Sequence, residues 1–262
     1  MKIWTLLENT ADRPDVTAEH GLSLYIETGD RTILFDAGQS DAFAKNAEIM
    51  GVDLQKVDFA VLSHGHYDHG GGMETFLAVN GQAPLYVNAH SFGAYYNGTE
   101  KYIGLPESLR DSDRICTVDG DKALAPGIIL CGGAGRECTW PVDSFGLNEK
   151  KNGNFEPDRF LHEKYLLVKE NGKRILFSGC SHRGILNIMS WFHPDVLIGG
   201  FHFKKLDPEQ NADQLAAAAR QLMQYDTVYY TCHCTGKPQY EYLKTIMGER
   251  LHYLGCGSTL QI

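Results

Sequence analysis

The 262-residue chain has no apolar run approaching the roughly 18 consecutive residues that a membrane-spanning helix needs. Its N-terminus, MKIWTLLENTADRPD, carries one lysine and a short apolar run and then turns polar. A secretory leader needs a longer apolar region and a small-residue cleavage site. Positive charge is also in deficit: 24 Lys plus Arg face 33 Asp plus Glu, for a formal charge of −9. Proteins bind nucleic acid through clustered Lys and Arg that displace counterions, so this balance excludes it as a bulk electrostatic partner but leaves room for a local basic pocket. Cysteine is sparse and odd in number. The seven, at positions 116, 131, 138, 180, 232, 234 and 256, lack disulfide-framework spacing and read as buried thiols or metal ligands. Nucleotide-binding loops are missing as well. Gly132-Gly133-Ala134-Gly135 has the wrong spacing for a dinucleotide fingerprint, and Thr235-Gly236-Lys237 lacks the upstream glycine of a phosphate loop. No G-x-S-x-G elbow occurs. The expectation is a soluble, cytoplasmic protein with no membrane or nucleic-acid partner and an oligomeric state left open.

What is present is an ordinary globular composition, 43% hydrophobic and 22% charged, which supports a sizeable core. Strand and helix signals alternate. Lys2–Leu7 reads as a strand, and 22–27 and 31–36 flank the turn Thr28-Gly29-Asp30 as a hairpin. Residues 40–50 have helical spacing, and 59–63 and 85–88 are strand-like. The pattern returns with 164–169, the turn Asn171-Gly172 and 174–178, then a helix over 185–192 and a strand over 195–199. Asp207-Pro208 is expected to open a helix, 228–231 is a strand, and Pro238 begins a last helix towards Met247. Each half runs hairpin, strand, helix. That repetition predicts an α/β fold of two mixed sheets packed face to face with helices outside, as a single domain over 1–262. Residues 91–160, rich in Gly, Asp, Tyr and Pro, read as an irregular insertion or a substrate-covering region.

The eleven histidines are the most informative residues, because they cluster. Ser63–Gly72 reads SHGHYDHGGG and places His64, His66, Asp68 and His69 within six residues, directly after an apolar strand. Residues two apart in extended backbone point the same way, and a turn lets Asp68 and His69 converge from another side. Imidazole and carboxylate suit zinc, iron or manganese. The glycines that follow permit tight turns and close backbone approach.

This segment resembles the H-x-H-x-D-H signature of the metallo-β-lactamase superfamily, and Phe35-Asp36-Ala37-Gly38 resembles its earlier Asp-containing turn, which supports the metal loop. Ser178-Gly179-Cys180-Ser181-His182-Arg183-Gly184-Ile185, Gly199-Gly200-Phe201-His202 and His233-Cys234-Thr235-Gly236 resemble a subgroup with GCSH-x-G-I, GGFH and HCTG motifs. That subgroup is labelled as similar to a dihydropterin-methyl-ribofuranosylaminobenzene phosphate synthase. The resemblance covers nearly the whole chain and implies a four-layer αβ/βα sandwich. It also implies that His182 and His233 complete the metal site, with His64, His66 and His182 on one ion and Asp68, His69 and His233 on another. The sequence departs from the superfamily where a Gly-Asp pair usually supplies a bridging ligand. Gly179-Cys180 stands there, so Cys180 is either a thiolate ligand or a lining residue. The G-H-T-x-G-H element is missing too.

The implied function is metal-dependent hydrolysis with two divalent ions, zinc before iron or manganese, and a metal-bound hydroxide acting on a phosphoester, phosphodiester or related small anion. Asp68 is the candidate for orienting the nucleophile, and His202 for an acid or phosphate ligand. Arg183, Lys237 and His90 are candidate substrate contacts. His20 carries a weaker claim, while His162, His193 and His252 read as ordinary and Cys232 and Cys234 as packing residues. Alternatives on the same site are pterin-related condensation, thioester or lactone hydrolysis, and a non-catalytic metal- or redox-sensing protein.

Overall fold

A computed structural model describes residues 1–262. Two seven-stranded sheets dominate it. The first runs, in spatial order, Thr259–Gln261, Lys2–Leu7, Ser23–Glu27, Thr32–Phe35, Phe59–Val61, Leu85–Asn88 and Ile115–Val118. Its first three pairings are antiparallel and its last three parallel. The second sheet has the same plan: parallel from Leu251–Tyr253 through Val228–Thr231 and Val196–Gly199 to Lys173–Ser178, then antiparallel through Lys164–Glu170 and Ile128–Gly132 to Lys122–Ala125. The last strand crosses back to pair with the first, and the Met1 amino group donates to the Ile262 carbonyl. No helix is long and apolar enough to cross a membrane.

Alternation along the strands builds the layers. Ile33 and Phe35 face Ile175 and Phe177 in the core between the sheets, where the Phe35 and Phe177 rings lie 5.9 Å apart. Leu34 and Leu176 point the other way, into separate cores under the helices. Helices Ala42–Ile49 and Met73–Val79 cover the first sheet, and Ile185–Phe192, Ala212–Leu222 and Lys237–Met247 cover the second. Strands buried on both faces read as continuous apolar runs. This is the αβ/βα four-layer sandwich the sequence led us to expect.

Most boundaries match the sequence reading to within a residue or two. The Asp207-Pro208 helix does not start there. Asp207 instead closes a turn, accepting from the Glu209 and Gln210 amides, and the helix begins at Ala212. Residues 91–160 are more regular than composition suggests. They supply strand Ile115–Val118 to the first sheet and the Lys122–Gly132 hairpin to the second. They also form a four-stranded sheet from Tyr95–Asn97, Lys101–Tyr102, Leu147–Lys151 and Asn154–Pro157. Strands this short carry too few alternations to be seen in sequence.

Phe177 is fully buried between the sheets. Phe177→Ala is expected to destabilise the protein by about 3–5 kcal/mol in equilibrium denaturation. A loss below about 1 kcal/mol would show that the two sheets do not share this core.

Candidate metal centre

The parallel strands of both sheets end at the same side, and the chain turns there into the loops that carry the polar residues. Phe59–Val61 leads to Ser63, His64 and His66, and the short helix Tyr67–Gly70 swings Asp68 and His69 around to meet them. Lys173–Ser178 leads to Cys180 and His182, Val196–Gly199 to His202, and Val228–Thr231 to His233. Four non-glycine residues here adopt left-handed backbone: Asp36, Ser181, His202 and His233, with φ of 60°, 59°, 57° and 48°. Such residues are uncommon and collect at functional sites.

Hydrogen bonds fix which ring nitrogens face inward. Ser63 Oγ donates to Asp36 Oδ2, so the His64 Nδ1–H points to Ser63 Oγ at 2.9 Å and its Nε2 faces the centre. His69 Nδ1 meets Asp36 Oδ2 at 2.6 Å. His233 Nδ1 meets Asn9 Oδ1 at 2.9 Å, while Asn9 Nδ2 donates to the His233 carbonyl. The inward atoms converge. His64 Nε2 lies 3.3 Å from His182 Nε2, His69 Nε2 lies 3.2 Å from His233 Nε2, and Cys180 Sγ lies 3.2 Å from His69 Nε2. Asp68 Oδ2 lies 3.4 Å from His233 Nε2 and 3.2 Å from His20 Nε2.

Burial pushes the imidazoles of His64 and His182 well below their ordinary range, and the neighbouring histidines push the same way. Burial likewise lowers His233 to about 4 and His202 to about 3. Burial would raise the Asp68 carboxyl, but His69, His20 and His233 outweigh it and hold Asp68 well below the usual carboxylate range. For His69 the order of effects is the same: burial lowers it, and the carboxylates of Asp36 and Asp68 outweigh burial and raise it. Burial, reinforced by Cys234, pushes the Cys180 thiol well up.

Neutral imidazoles are the form that binds metal. His66 Nε2 and His182 Nδ1 are buried with no hydrogen-bond partner, although polar atoms buried here would ordinarily be paired. The donor atoms fall into groups whose members lie within 4.8 Å of one another: His64, His66 and His182; His64, His69 and Cys180; His20, Asp68 and His233. These residues fit divalent cations with nitrogen, oxygen and sulfur donors.

Other expected contacts lie elsewhere. His90 is exposed and does not line the pocket beside the cluster. Arg183 turns away, its guanidinium donating to the Arg159 and Gly133 carbonyls. Lys237 sits with Nζ 4.1 Å from the centre of the Tyr253 ring. Lysines do line the pocket, about 400 Å³ in volume: Lys101, Lys204 and Lys205, with His20, His66, Asp68, Cys180, His182, His202 and His233.

Sequence reasoning missed four supports. Glu163 accepts from the His182 and Arg183 amides, and Glu8 accepts from the His233 amide at 2.6 Å. His162 accepts from the Gly65 amide and meets Asp158 Oδ2 at 3.0 Å; that carboxylate lies 3.8 Å from His66 Nε2. Asn9 is the fourth.

Asp36→Asn keeps the size of the carboxylate but loses its charge and an acceptor for His69. It is expected to weaken metal retention about 10–100-fold in a chelator competition. Unchanged retention would show that Asp36 does not orient His69 for a metal.

The family model described as the metallo-beta-lactamase superfamily matches residues 16–233. An uncharacterized protein of Methanocaldococcus jannaschii is 30% identical over 208 residues, covering 75% of this chain and 77% of that protein. The 7,8-dihydropterin-6-methyl-4-(beta-D-ribofuranosyl)-aminobenzene-5'-phosphate synthase of the same organism is 27% identical, covering 90% of this chain and 88% of that protein. The crystal structure of Tm1679, a metal-dependent hydrolase of the beta-lactamase superfamily, superposes with a TM-score of 0.84 at 26% identity over 100% of this chain and 99% of that one. With its four-layer fold, its histidine cluster and these matches, the chain belongs to the metallo-β-lactamase superfamily.

Proposed function

We propose that the protein is a metal-dependent hydrolase of small anionic substrates, a phosphoester or phosphodiester, bound in the pocket beside the histidine cluster. The observation that carries this reading is that one cavity holds both the cluster and three lysines, on a chain of net charge −9. An acidic protein does not draw an anion from a distance, so attraction has to be local. Lys101, Lys204 and Lys205 are exposed on the pocket wall and provide it; Lys101 Nζ also lies 3.4 Å from the Tyr67 hydroxyl and Lys205 Nζ donates to the Phe145 carbonyl, contacts that leave other ammonium protons free. His64, His66 and His182 would hold one divalent ion, and Asp68, His69 and His233 a second, with Cys180 beside His69; the donor set favours zinc, with iron or manganese as alternatives. Ions held there would lower the pKa of water towards neutrality and would polarise a phosphoryl oxygen.

The chain's own side chains orient both reactants. Asp68 presents a carboxylate oxygen where His20 and His233 converge, an acceptor for the proton of an entering water. His202 lines the substrate side of the pocket and hydrogen-bonds a substrate oxygen. Phe160 stacks on His182, ring centres 4.4 Å apart, and keeps water from that side of the cluster.

Similarity to the methanogen synthase over 90% of the chain supports a second reading, formation of a pterin–aminobenzene phosphate conjugate as that relative's name states. The same pocket would then bind the phosphate-bearing partner.

Elemental analysis of protein purified without added metal is expected to find about two ions per chain. Phosphoester turnover should vanish on chelation and return on reloading. Metal-free protein that cannot be reloaded, or turnover of thioesters, lactones or the pterin condensation alone, would replace the hydrolytic reading. Lys204→Ala is expected to raise KM for a phosphoester about fivefold, equivalent to roughly 1 kcal/mol at an exposed site, with little change in kcat.

A further inference from the structure

Beside the histidine pocket lies a second cavity of about 520 Å³, within the roughly 300–1,000 Å³ of small-molecule sites. Its lining is largely apolar and aromatic: Trp140, Phe145, Phe201 and Phe203, with Leu186 and Leu206. His182 and His202 line both cavities, so the two meet at those rings. His202 stands at the junction, its ring centre 4.3 Å from that of His182 and 5.2 Å from that of Phe145.

The wall is held in place. The Asn187 side chain accepts from the Trp140 amide at 2.9 Å and donates to the Trp140 carbonyl at 3.0 Å. Lys205 Nζ donates to the Phe145 carbonyl, and the Trp191 indole donates to the Glu137 carbonyl at 2.7 Å. On the far side, Ala217 and Ala218 of helix Ala212–Leu222 leave room that larger side chains would fill. An apolar cavity with fixed walls, adjoining the lysine- and histidine-lined pocket at the rings of His182 and His202, matches a ligand that is apolar at one end and anionic at the other.

We propose that this cavity binds the aromatic ring of the substrate while its anionic group lies in the histidine pocket, which makes the substrate an aryl or heteroaryl phosphate ester. The inference rests on the hydrolytic reading above for the position of the anionic end. A flat ring suits the site better than an alkyl chain. It meets aromatic walls in edge or offset contacts, and it has few rotamers to lose on binding. His202, at the mouth, touches the bond region between ring and anion. The Trp140 and Phe145 walls therefore select the leaving group and do not take part in the chemistry.

The test compares two phosphonates that cannot be hydrolysed, naphthalen-1-ylmethylphosphonate and methylphosphonate, binding to the protein as purified and measured by calorimetry. The naphthyl compound is expected to bind at least about tenfold more tightly. Ala217 is exposed, so Ala217→Trp fills the cavity from outside the buried face formed by Leu215, Ala216, Ala218, Ala219 and Leu222. The ratio of the two dissociation constants should then fall towards one. Gln214→Trp, from an exposed position one turn earlier on the same cavity, should do the same. A ratio near one in the unmodified protein overturns the proposal whether or not the variants fold, and so does a ratio that both folded variants leave unchanged. Equal turnover of aryl and alkyl phosphates with a ratio near one removes the cavity's role and leaves the hydrolase standing. A ratio of about ten or more without phosphoester turnover keeps the aromatic subsite and removes the hydrolytic assignment.

Discussion

Three buried carboxylates hold the centre of this molecule together, and the rest of the site depends on their being saturated with hydrogen bonds. Asp36 accepts from the Ser63 amide, the Ser63 hydroxyl and His69 Nδ1. Glu163 accepts from the His182 and Arg183 amides and the Tyr165 hydroxyl. Glu8 accepts from the His233 amide, the Tyr253 hydroxyl and Thr10. All three residues are fully buried. A buried carboxylate short of donors costs several kcal/mol, so each one forces the loop that feeds it into a single shape. The left-handed turns at Ser181 and His233 are unfavourable in isolation, and these bonds offset them.

The fold brings those loops together by repeating one arrangement. Each sheet has an antiparallel part and a parallel part, and the parallel strands deliver their C-terminal ends to one edge, the place where α/β proteins gather ligand-binding residues. His64, His66 and His69 come from the first sheet, and Cys180, His182, His202 and His233 from the second. Glu8 ties the two. It follows a strand of the first sheet and grips a loop of the second, and Asn9 beside it orients the His233 ring. Sliding one sheet against the other would break both bonds and misplace the His233 ring, so the apolar core between Phe35 and Phe177 sets the geometry of the polar cluster above it.

How much of this was legible follows from sequence distance. The cluster from His64 to His69 is contiguous, and apolar periodicity located its strand. His182 and His233 are reached through resemblance, because a separation of 118 positions between His64 and His182 hides their contact. Glu8, Asp158 and Glu163 could not be read. A buried carboxylate and a solvated one look alike until the chain is folded, and Glu8 acts across 225 residues. Arg183 and Lys237 stand next to His182 and near His233 in sequence, but adjacency does not fix direction. Arg183 reaches into the 133–159 segment, and Lys237 lies over Tyr253. Lys204 and Lys205, two and three residues past His202, carry the same signal, and both line the pocket.

The part that breaks the two-fold pattern decides what the site can hold. Both halves supply strands and ligand loops, but only residues 91–160 add Asn97, Lys101, Ile103 and Leu147 to the histidine pocket and Trp140 and Phe145 to the cavity beside it. That segment is anchored at the loop that carries His182. The Arg183 amide shares Glu163 with the His182 amide, while the Arg183 side chain grips the carbonyls of Gly133 and Arg159. Asn187, one turn on, takes both the Trp140 backbone and the Arg183 carbonyl. The Trp140 wall of the second cavity and the loop that positions His182 are thus one hydrogen-bonded unit. A substitution that loosens the wall also disturbs His182, whereas filling the cavity from the helix opposite changes its shape and leaves that unit intact.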